Sequence, residues 1–219
     1  MPTYRVQLKP ECFKDLRSSD DFVVAIQLSR IVNALRANLR AQICISHESE
    51  LLIAKDKLDL ILCQASMLYE GIKEFSKLSG NLHALTYWKA HLEEIHELQT
   101  EHNNLVSFTN TVLKNVRNMV FFHFDSNIIS EMIEDHPFVG DINFMVGDSK
   151  ERKDILYSLA DDLILSYLVS LCTEPIEDPF EKYAAIEKRI MHLSDLLCSI
   201  FDNLIKELLA DKLLFIKET

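Results

Sequence analysis

Glycine and proline are scarce in this chain, with 4 Gly and 5 Pro in 219 residues. Those two residue types supply most tight turns and phosphate-wrapping loops, so a β-rich or α/β chain would need many more of them. The long stretches between the breakers carry apolar residues three and four apart, the spacing of one helix face. Val24, Leu28, Ile31, Leu35 and Leu39 follow Ser18, Asp20 and Asp21, side chains suited to an N-cap, and predict a first helix ending near Ile45. A second is expected from near Glu48 through Leu51, Leu58, Leu62, Ala65, Leu68, Ile72 and Phe75, stopped by Ser79-Gly80-Asn81. The pair reads as a long antiparallel helix hairpin at the N-terminal side.

A third helical stretch runs from about Leu82 to Phe124. Its least hydrophobic point, at Gln99, His102, Asn103 and Asn104, leaves open one bent helix or two. Its far end, VRNMVFFHF, is apolar nearly all round, which predicts burial on several sides or cover by a partner subunit. A short helix is expected from Ser126 to near His136-Pro137. The apolar stretch 137–148, with Phe138, Val139, Ile142, Phe144, Met145 and Val146, reads as a flap or a docking arm for a protein partner. Asp148-Ser149-Lys150-Glu151 has the form of a capping box opening a helix to Cys172. Asp178-Pro179-Phe180-Glu181 forms a second, with Pro at the first helical position, and its helix is expected to run as far as Phe215. The sum is an all-α helical bundle of about six or seven helices. One domain, 1–219, is expected, with a soft boundary near 135–150 between a bundle at 20–134 and a helical pair at 149–219.

The formal net charge is −11, and the acidic excess is C-terminal: residues 1–123 carry 14 basic and 14 acidic side chains, residues 124–219 carry 9 and 20. That balance argues against unspecific binding along duplex DNA, whose affinity comes mainly from phosphate neutralisation. Residues 22–47 hold Arg30, Arg36 and Arg40 and no acid, so an anionic ligand is expected there first. Ser29, Asn33, Arg36 and Arg40 share one stripe, which is either an RNA-facing surface or an ordinary solvated helix face. Five scattered cysteines without a CxxC pair read as reduced thiols, mostly buried, in a cytoplasmic protein. No apolar run approaches the roughly 20 residues of a membrane helix, so no membrane contact is expected.

With four glycines the chain contains no GxGxxG, GxxxxGK[ST] or GxSxG, which sets aside nucleotide-fold enzymes and α/β-hydrolases. HExxH is absent. A di-iron bundle would need two ExxH motifs, whereas Glu93-Glu94-Ile95-His96 supplies one, and His91, His96 and His102 fall on different faces of an ideal helix. No metal and no cofactor is expected.

One motif remains, Arg117-Asn118-Met119-Val120-Phe121-Phe122-His123. An Arg with His after four to six intervening residues is expected roughly once by chance in this composition, and Asn directly after the Arg lowers that to about 0.05. Arg40 and His47 form a second match, but Ala41 follows Arg40. The Arg117 motif resembles the signature of the HEPN superfamily, whose helical domains carry Arg, often a polar residue next, then His. The resemblance covers about nine residues closely and the helical layout of 20–125 loosely. It implies a homodimer whose motif helices face each other across a cleft that cuts RNA without metal, with Arg117, Asn118 and His123 as the catalytic set.

The chemistry is coherent. A 2′-hydroxyl attacks its own phosphate when a base takes its proton and a cation stabilises the phosphorane. His123, among Phe121, Phe122 and Phe124, is expected to be held neutral by desolvation, as a base should be. Arg117 keeps its charge and offers a planar fork, and Asn118 orients a partner by hydrogen bonds. On a straight helix Arg117 and His123 lie about 120° apart, so they meet only at a bend or across a subunit boundary. Asn33, Arg36 and Arg40 are the expected RNA-binding residues. The plain alternative is a non-catalytic all-α homodimer that docks a protein partner, with His123 buried and Arg117 paired to an acid such as Asp161 or Asp162.

Overall fold

The computed structural model describes residues 4–8, 20–45, 50–83, 85–121, 158–210 and 213–217. Among them the protein is an all-α bundle of seven helices, tied at its ends by a two-stranded antiparallel ribbon. The ribbon pairs β1 (Tyr4–Leu8) with β2 (Leu213–Lys217), Val6 opposite Phe215.

The hairpin consists of α1 (Asp20–Cys44, 25 residues) and α2 (Glu50–Leu82, 33 residues). The two helices run antiparallel, with Asn38 beside Cys63 and Ile31 against Gly71. Val24, Leu28 and Leu35, predicted for the inner face, are all buried, and Val32 joins them. The mostly apolar α6 (Ser158–Ser170) and the long α7 (Pro179–Leu209, 31 residues) complete the core. Leu168, Ile186, Ile190, Leu197, Phe201 and Leu204 are buried in the same cluster as the inner residues of α1 and α2. Gly71 marks the closest approach: a Cβ there would lie 2.6 Å from Leu197 Cδ2 and 3.0 Å from Ile31 Cγ2. Glycine is required because three helices press on one spot.

The third stretch resolves into three helices. α3 (Thr86–Ala90) is broken from α4 (Leu92–Asn103) at His91, whose φ of −124° and ψ of 42° leave the helical region. Trp88 anchors α3 by stacking on Phe75, ring centroids 5.3 Å apart, while Phe75 meets Phe201 at 5.8 Å. Burying rings of this kind stabilises by roughly 1.5–3 kcal/mol each, which explains how so short a helix is held. The polar point at Asn103 and Asn104 is a true break. After it comes α5 (residues 108–121), π-helical over Thr109–Leu113 and Val116–Phe121 and packed on α2.

α7 starts as expected: Pro179 is its first residue, and Asp178 accepts hydrogen bonds from the Phe180 and Glu181 amides at 2.7 and 3.2 Å. It does not reach Phe215. The helix ends at Leu209, and Leu213–Lys217 is strand because its backbone pairs with Tyr4–Leu8. The predicted helix at 126–136, the apolar stretch 137–148, the capping box at Asp148 and the soft boundary near 135–150 lie outside the described residues. No described helix is long and apolar enough to cross a membrane.

Candidate functional site

Arg117 and Asn118 sit on the second π-helical segment of α5, which is wound with i→i+5 rather than i→i+4 hydrogen bonds. The 100° per residue of an ideal α-helix therefore does not hold over Val116–Phe121. π-helical turns are rare and recur at functional positions. Arg117 Nη1 donates to Asn118 Oδ1 at 2.9 Å, so the two neighbours act as one unit. Glu70 on α2 supplies the acid, its Oε1 2.8 Å from Arg117 Nε. The contacting atoms of both residues are buried and do not meet in hydrogen-bond geometry, while the side chains are otherwise 43% (Glu70) and 32% (Arg117) exposed. Lys73, one turn on, brings its Nζ to 3.8 Å from the other Glu70 oxygen. The result is a surface cluster of two cations around one carboxylate, flanked by Asn118. Chemically, the cluster presents a permanent, planar cation at the surface of the bundle.

His123 lies outside the described residues. The acid expected beside Arg117 is Asp161 or Asp162, whose side chains lie outside the described residues; among the described residues Glu70 on α2 meets it. Glu70 carries no local sequence signal tying it to Arg117, because the contact depends on how α5 packs against α2. The only readable trace was the pair of Glu–Lys spacings at Glu70/Lys73 and Glu74/Lys77, the second of which closes at 2.8 Å.

The expected RNA-binding stripe divides. Asn33 and Arg40 are exposed on α1. Arg36 is engaged across the bundle: Nη1 and Nη2 donate to the two oxygens of Asp202 on α7 at 3.2 and 2.5 Å. Ser29 is half-buried and donates to the Ala25 carbonyl. Sequence periodicity missed Asn38, which is buried in the α1–α2 contact and accepts from Gln42 at 2.8 Å.

Two further polar assemblies were not foreseen. Arg189 on α7 reaches Glu97 and Glu101 on α4, at 3.1 and 2.6 Å, and His192 stands 3.2 Å from Glu97. The other Glu101 oxygen accepts from both the amide and the hydroxyl of Thr109 at 3.0 Å, which caps the start of α5. Asn110 Nδ2 donates to the carbonyls of His102 and Asn104, fixing the turn between α4 and α5. Alongside it, His96, Gln99, Thr100, Asn103 and Asn104 line an open polar depression of about 380 Å³.

Among the described residues no three His, Cys, Asp or Glu side chains gather closely enough to hold a metal ion. His91 stacks on Tyr87 at the α3–α4 break, 4.0 Å between centroids, and His96 is exposed. Cys44, Cys63, Cys172 and Cys198 are free thiols. Cys198 alone of these is buried, and burial pushes its pKa up to about 11 against the pull of nearby Arg36. Cys44, by contrast, is exposed. Comparisons of this chain with protein-family models, with curated proteins and with solved structures return no match.

Proposed function

We propose that this protein is a metal-independent endoribonuclease of the HEPN type that acts as a homodimer in the cytoplasm, of the kind used as a toxin or in antiviral defence. The observation that carries the reading is the Arg117–Asn118 pair, joined at 2.9 Å on a partly exposed π-helical turn. Arg117 stabilises the charge that builds on the phosphorane oxygens. Asn118 holds the Arg117 guanidinium, and His123 takes the proton of the attacking 2′-hydroxyl. The products are a 2′,3′-cyclic phosphate and a 5′-hydroxyl, whose oxygen takes its proton from solvent. Arg40 and Asn33 extend the RNA contact along α1, joined by Arg36 when phosphate competes with Asp202. Single-stranded loops are the preferred target, because unstacked bases are the readable ones.

A second reading is favoured by the ion pairs themselves. Arg117 held by Glu70 and Arg36 held by Asp202 are cations already matched within the fold. That pattern suits a non-catalytic homodimeric module that docks a protein through residues 137–148.

One experiment separates them. End-labelled structured RNAs are incubated with the full chain in excess EDTA, beside Arg117→Ala and His123→Ala. Cyclic-phosphate ends that vanish in both variants establish the ribonuclease. Equal inertness of all three folded proteins removes it and leaves the docking module.

A further inference from the structure

Among the described residues, Glu70 on α2 contacts Arg117 from outside its own helix. Its Oε1 lies 2.8 Å from Arg117 Nε, a charge contact that lacks hydrogen-bond geometry, and both atoms are sealed from solvent although the rest of each side chain reaches water. Asn118 Oδ1 takes Nη1 of the same guanidinium at 2.9 Å. A guanidinium is planar, so the hydrogen bond at Nη1 orients it while the charge contact at Nε draws it toward α2. A free arginine would have to freeze several rotatable bonds when substrate arrives, and a side chain ordered beforehand avoids that cost. Glu70 and Arg117 project from two helices that pack directly on each other.

We propose that Glu70 is a positioning residue for Arg117, orienting the guanidinium toward a scissile RNA phosphate without touching the RNA. The inference rests on the ribonuclease reading given above. Lys73 stands 3.8 Å from the other Glu70 oxygen. Glu74 and Lys77, one turn further along α2, form a similar pair at 2.8 Å and serve as an internal control.

The test uses the full chain and the same structured RNAs in excess EDTA, comparing Glu70→Ala, Glu70→Gln and Glu74→Ala with the unaltered protein. Glu70→Ala is expected to lower kcat ten- to hundredfold with KM changed less than about threefold, because loss of orientation acts on the reacting geometry and not on general RNA affinity. Glu70→Gln keeps an oxygen beside Nε and is expected to recover most of that loss. Glu74→Ala is expected to cleave at the unaltered rate, and all variants to melt with the unaltered protein. Cleavage by Glu70→Ala at or above the unaltered rate, while Arg117→Ala is inert, overturns the positioning role and leaves the ribonuclease standing. An inert but folded unaltered protein overturns both.

Discussion

Leu197 Cδ2 lies 2.6 Å from the point where a Cβ on Gly71 would sit, closer than two carbon atoms tolerate. Leu197 is fully buried, so its methyl has nowhere to swing, and Ile31 Cγ2 closes the other side at 3.0 Å. Gly71→Ala is therefore expected to destabilise by about 1–3 kcal/mol through overpacking, despite the better helix propensity of alanine. Gly80→Ala in the last turn of the same helix meets nothing within 4 Å and is expected to stabilise by about 0.5 kcal/mol. Denaturant midpoints of the two variants check both signs, and a stabilised Gly71→Ala would mean that α1, α2 and α7 do not close on that point.

Glu101 joins three elements through one carboxylate, taking Arg189 on one oxygen and the Thr109 amide and hydroxyl on the other. Its side chain is 10% exposed, so a lost partner is not readily replaced by water. Glu101→Ala is expected to cost roughly 2–3 kcal/mol, since it strands the Thr109 donors and a half-buried arginine. Thr109→Val removes only the hydroxyl and is expected to cost about 0.5–1.5 kcal/mol. Equilibrium unfolding of both single variants and the double variant gives a coupling energy, expected near the Thr109→Val value. Strict additivity would place Glu101 outside the cap.

The local features of this chain were legible and the non-local ones were not. Apolar spacing marked α1 and α2 to within a few residues, because each helix hides one stripe and the stripe is written in the sequence. Asp178-Pro179 announced the start of α7, since capping needs only neighbours. The end of α7 was misread because Leu213, Leu214 and Phe215 prolong its apolar pattern. What makes them strand is pairing with Tyr4–Leu8, far away in sequence. The same limit applies to the candidate site: Arg117 and Asn118 are adjacent, so a motif can single them out. Their partner Glu70, like the Arg36 partner Asp202, is fixed only by helix packing. The π-helical winding of α5 leaves no mark in apolar periodicity that a reader of 3.6-residue turns would notice.

Asp178 satisfies two of the four amides that begin α7, at 2.7 and 3.2 Å, and Pro179 removes a third donor. Asp178→Ala is expected to lower stability by about 1 kcal/mol, and Asp178→Ser to restore nearly all of it. The pair is read from thermal unfolding of the full chain, and equal loss in both variants would count against capping as the cause.

Glu207 accepts from the Thr86 and Tyr87 amides at 2.6 and 2.8 Å, so the end of α7 caps the start of α3 with a charge. Burial by itself would raise the pKa of this carboxyl. The two backbone donors and the nearby Lys89 outweigh burial and hold it below the ordinary glutamate value. A carboxyl depressed in the folded state stabilises fully above its unfolded pKa, about 4.3, and loses that contribution as pH falls through the folded value. Glu207→Gln lacks the charge at every pH. The melting temperature of the unaltered protein is therefore expected to exceed that of Glu207→Gln by a constant margin at neutral pH. That margin shrinks only as pH drops below about 4.3, until the two curves meet in acid. A margin that survives into strong acid would show that the amide substitution acts through packing and not through the charge at the helix start.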